Sequence, residues 1–130
     1  MTINRSIDIE EAIRLALSPY MTAYCAPLPA SFSTPNVLVT MIGGDSEKTS
    51  AGKGKVDSFM VTLDARAETE EEALTCLRNA VAILEVEHST GISYIETNSL
   101  YSWGADPVRP DLAMCSATLL VRAHRETVTL

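Results

Sequence analysis

The sequence lacks any long apolar run. Its uninterrupted hydrophobic stretches are a few residues each, far below the roughly 20 that a membrane-spanning helix requires, so no membrane partner is expected. Cysteine is scarce: Cys25, Cys76 and Cys115 are odd in number, widely spaced and without a CxxC pair. This argues against a disulfide framework and for buried or free thiols in a reducing compartment. His88 and His124 stand alone with no cysteine within a few residues, which leaves no metal-ligand spacing and no metal or cofactor to expect. Positive charge is also in short supply, with 10 basic against 17 acidic residues and a net charge of -7. That balance opposes binding to phosphate backbones. The opening MTINRSIDIEEA sets Asp8, Glu10 and Glu11 where a secretory signal carries its apolar stretch, and the expectation is a protein kept in the cytosol.

What is present suits one globular domain over residues 1–130. That length fits a single core, and 46% hydrophobic residues supply the apolar material to bury roughly two-thirds of the unfolded surface. Asp8 with Glu11 forms a capping box, followed by an apolar stripe at Ile9, Ala12, Ile13, Ala16, Leu17 and Tyr20, which predicts a first helix. Pro19, Pro27, Pro29 and Pro35 then predict an extended, irregular arm. Asn36 to Ile42 (NVLVTMI) and the alternating Lys55 to Ala65 read as strands. The polar, glycine-rich Gly43 to Gly54 between them reads as a long flexible hairpin loop.

Thr69 with Glu72 forms a second capping box, and Glu70 and Glu71 suit a helix N-terminus. The stripe Ala73, Leu74, Leu77, Ala80, Val81 and Leu84 continues that second helix until Gly91 limits it. Ile92 to Trp103 and Leu112 to Ala123 read as two further strands, joined by a wide turn with Pro107 and Pro110. The expected fold is α+β: a mostly antiparallel four-stranded sheet with two helices packed on it, in the order α-β-β-α-β-β. Ile13, Leu17, Leu63, Leu74, Leu77, Val81 and Leu119 are the expected core.

No residue set in this pattern points to catalysis. Gly52-Lys53 is followed by Gly54 instead of a hydroxyl residue, and the segment leads into a strand, so it is not a phosphate-binding loop. Glu68, Glu70, Glu71 and Glu72 cluster where a helix dipole favours carboxylates. His88 suits the negative end of the second helix, and Cys76 and Cys115 fall on apolar faces. Two groups remain as candidate contact residues. Lys48, Lys53 and Lys55, all the lysines of the chain, fall in or beside the Gly43 to Lys55 segment and offer a local positive feature to an acidic partner or neighbouring subunit. Trp103, the one tryptophan, and Arg109 lie at the proline turn and suit an interface anchor, or else cap the end of the sheet.

The run VDSFMVTLDARAETEEEALTCLRNAVAIL, a strand leading through a short acidic turn into an Ala/Leu helix, resembles the centre of the tail terminator (tail-completion) proteins of long-tailed bacteriophages. The ending LAMCSATLLVRAH is similar to their final strand. The likeness spans nearly the whole chain, in a family recognised by pattern and without a catalytic signature. It implies a structural virion protein and not an enzyme: a homo-hexameric ring on the head-proximal end of the tail, assembled in the host cytoplasm. Such a ring ends polymerisation of the tail tube protein, presents a surface to the head-completion protein, and lets DNA pass without specific binding. The proline-rich arm from Pro19 to Pro35 departs from that pattern. Two other readings stay open: a small oligomeric α+β enzyme with an interfacial site, and another virion ring component such as a neck or tail-tube subunit.

Overall fold

The computed structural model describes residues 1–49, 52–86, 91–107 and 109–130. The elements run β1 (Thr2–Arg5), α1 (Ile9–Leu17), β2 (Ala23–Cys25), β3 (Asn36–Thr49), β4 (Gly52–Ala67), α2 (Glu70–Val86), β5 (Ile92–Ala105), β6 (Ala113–His124) and β7 (Glu126–Thr129). Both capping boxes form at their backbone ends: Asp8 accepts from the Glu11 N–H and Thr69 from the Glu72 N–H, each at 3.2 Å. Each side chain occupies an N–H that the helix itself leaves unpaired. No helix among the described residues is long and apolar enough to cross a membrane.

The fold is α+β with two helices and a mostly antiparallel sheet, but the sheet has five strands, not four. Its order is β2-β3-β4-β6-β5, and β1 and β7 form a separate two-stranded ribbon. The three strands not anticipated are short and weakly patterned. β2 has three residues between proline-bearing segments and pairs in parallel with β3. β1 and β7 have four each and are largely exposed. Three or four residues are too few to show a period of two, and β1 and β7 are largely exposed besides, so such strands leave little trace in a hydrophobic pattern even though Ala23 of β2 joins the core.

The segment from Gly43 to Gly54 is likewise not a loop over its described residues. β3 and β4 continue their antiparallel ladder through it, to Lys48 opposite Lys53 and Thr49 opposite Gly52. Since β6 pairs with β4 only from Val56 onward, the end of this hairpin is a two-stranded ribbon extending past the sheet. The polar, glycine-bearing sequence has no apolar alternation, so this ladder leaves no trace in a hydrophobic pattern. Gly44 sits where an added Cβ would stand 3.1 Å from Cδ1 of Phe59, its register partner, so the absent side chain permits that close approach.

Residues of α1, α2, β3, β4 and β6 share one buried cluster, with Ile13, Leu17, Val39, Leu63, Leu77, Leu84 and Leu119 at its centre. Leu74 is only partly buried and packs on its rim. Tyr20 falls past the end of α1 and is exposed, ending the expected stripe at Leu17. Gly91 has φ +97°, a conformation open to glycine. His88 lies outside the described residues.

Candidate functional site

The sheet has two chemically different ends, both fixed by β4. At its C-terminal end the chain turns through Glu68 and Thr69 into α2, leaving Glu68, Glu70, Glu71 and Glu72 exposed in one short stretch. Two grooves flank this acidic turn. One, of about 420 Å³, is lined by Glu68, Glu70, Trp103, Pro110, Asp111 and Leu112 among others. The other, of about 720 Å³, has Tyr20, Met21 and Pro35 on one side and Glu71, Glu72 and Thr75 on the other. Trp103 is 50% exposed and Tyr20 58%, so this end carries apolar rings beside carboxylates.

Arg109 is committed to its own turn. It pairs with Asp111 through two bonds, Nε to Oδ1 at 3.0 Å and Nη2 to Oδ2 at 2.9 Å, and its guanidinium holds the Asp111 carboxyl below the usual carboxylate range. Its carbonyl also accepts from the Leu112 N–H. Arg109 and Trp103 thus share a neighbourhood, Arg109 shaping the turn and Trp103 presenting a surface. The three lysines lie at the opposite end: Lys48 and Lys53 are register partners on the β3–β4 ribbon and Lys55 follows on β4. Their side chains lie outside the described residues. The sequence candidates therefore divide between the two ends and do not converge on one pocket.

Two buried ion pairs escaped the sequence reading. Asp57, 3% exposed, accepts from Ser6 Oγ at 2.6 Å and from Arg125 Nε at 3.2 Å, joining the β1–β7 ribbon to the main sheet. Its signal was parity: residue 57 alternates with Phe59, Val61 and Leu63 on the buried side of β4. Arg66 pairs with the fully buried Asp106 at 2.8 Å. Its Nη1 finds no hydrogen-bond partner among the described residues. No sequence pattern marked that pair, which is closed by an irregular connection.

The thiols are poorly suited to nucleophilic work. Burial, with the neighbouring Glu11 carboxylate, pushes Cys25 up to about 11, and burial raises Cys76 and Cys115 as well, so each stays protonated at neutral pH. Among the described residues no three His, Cys, Asp or Glu side chains are grouped to hold a metal ion. What this surface can do is present charge, aromatic rings and open backbone to another protein. No protein-family model matches the chain, and no curated protein matches it at a significant level.

Proposed function

We propose that this chain is a structural subunit of the tail terminator kind, assembling into a closed ring that caps a phage tail tube and offers its other face to a head-completion protein. The observation that carries the reading is the amount of β-edge left open. β5 is a 14-residue strand at one edge of the sheet. On the other side β2 covers β3 only from Val37 to Val39, and beyond that the Glu10 carboxylate accepts the Met41 N–H. Exposed edges invite pairing with another chain, and a closed ring is one way to satisfy them without open-ended growth. The bulges in β5, at Ile92/Tyr94, Thr97/Ser99 and Ser99/Ser102, interrupt a flat edge and so discourage indiscriminate pairing. The resemblance of residues 56–84 and 112–124 to the terminator family supplies the assignment among ring-forming proteins, and the acidic balance suits a passage that does not retain DNA.

The test is assembly of tail tubes from purified tube protein with and without this chain. Added chain should stop elongation and appear at tube ends by electron microscopy. Tubes that grow unchanged would reject the terminator reading, and incorporation along the tube would make the chain a tube subunit instead.

A further inference from the structure

The two ends of β4 are complementary in charge. The segment 43–55 carries all three lysines of the chain against Asp45 and Glu47, in a molecule of net charge -7. The opposite end carries Glu68 and Glu70–Glu72, exposed beside the groove holding Trp103, Pro110 and Leu112. Lys53 and Glu68 are separated by 15 residues of nearly continuous strand, a span of about 50 Å, so one copy cannot join its own two ends. A second copy can. We propose that the β3–β4 hairpin of one subunit docks into the acidic groove lined by Glu68, Glu70 and Trp103 at the start of α2 in the next. This interface rests on the ring reading above.

Three features favour a second copy as the occupant. The backbone register brings Lys48 and Lys53 to facing positions of the two strands, which gathers basic residues at one end of a chain of net charge -7 and suits an anionic partner. The groove offers what a lysine needs: the Glu68 and Glu70 carboxylates for the ammonium, and an exposed indole in its lining for the methylene stem. The contact joins unlike patches at opposite ends of the subunit, which makes it heterologous, and heterologous contacts repeated around an axis generate rings. Exposed ion pairs alone are weak, so the apolar part of the lining, Trp103, Pro110 and Leu112, is essential to the contact.

Carbodiimide cross-linking of the unaltered protein tests this directly. With light and heavy isotope-labelled copies mixed and assembled, mass spectrometry should find Lys48, Lys53 or Lys55 amide-linked to Glu68, Glu70, Glu71 or Glu72 in mixed-isotope pairs. A closed oligomer without those links overturns the interface while leaving the ring reading standing. A chain that is monomeric at every concentration also overturns the interface, and the tube-capping assay then judges the terminator reading separately. Charge reversal gives a second readout. Lys48→Glu with Lys53→Glu, and Glu70→Lys with Glu71→Lys, should each weaken self-association at least tenfold. An equimolar mixture of the two variants should reassemble, because each then meets its complement. Assembly of both variants at the parent's affinity would overturn the proposal, and should either fail to fold, the cross-links of the unaltered protein decide.

Discussion

Leu77 has no exposed surface and lies at the centre of the shared cluster, between α2 and the sheet. Truncation removes its packing and leaves a cavity, so Leu77→Ala should lower stability by about 2–5 kcal/mol in urea denaturation. Asp57 is a different kind of core residue. Replacing it with asparagine removes the carboxylate to which Ser6 and the largely buried Arg125 donate and should cost about 1.5–3 kcal/mol, the net worth of hydrogen bonds to a charged group. Glu126→Gln, which breaks the exposed pair with Arg5, should cost less than about 1 kcal/mol by the same measurement. Cys25 adds a pH dependence. Its folded thiol titrates at about 11 against an ordinary value of 9.0, so the unfolded chain releases that proton first as pH rises. The stabilisation is complete below pH 9 and is lost as pH rises toward and through 11. Alkylation of the folded protein followed by mass spectrometry should show Cys25 gaining reactivity near pH 11, and full reactivity near pH 9 would contradict its placement. At this scale the apolar core was legible because Leu63, Leu77 and Leu119 repeat with their element's period. The Arg66–Asp106 pair was not, since nothing in a one-dimensional pattern says that two charges 40 residues apart meet under cover.

The helices announced themselves through caps and stripes, and β4 and β6 through alternation, since each buries one face on the core. The short β1, β2 and β7 did not, because three or four residues are too few to show a period, nor did the β3–β4 ribbon, whose polar sequence has no apolar alternation. Among the described residues, the strand pairing of the ribbon beyond Val56 runs only between β3 and β4. Replacing residues 47–54 by a short Asn-Gly turn should therefore leave a cooperative thermal transition close to the parent's, because the shared core is untouched. The same variant should lose the ability to limit tail length if the ribbon contacts a neighbour or the tube. A large fall in melting temperature would show that the ribbon belongs to the fold, and normal tails capped at normal length would remove its proposed role. Trp103, at the end of a strand, and Arg109, in the proline turn that follows, were legible as near neighbours in sequence, but not in their different parts: Arg109 is held by Asp111 while Trp103 lines a groove from β5.

For the whole molecule, the decisive quantity is how many copies associate and whether the arrangement closes. A domain with a long edge strand at β5, a projecting ribbon and an acidic aromatic end has several surfaces left to cover, and we propose that further copies of the chain cover them in a closed ring. The most direct measurement is the light-scattering mass of the purified protein, with electron microscopy of the same fraction. Six copies of a 14.1 kDa chain in closed, ring-shaped particles, about 85 kDa in all, are expected. A monomeric mass at every concentration, in a protein that also fails to collect at the ends of tail tubes, would contradict it.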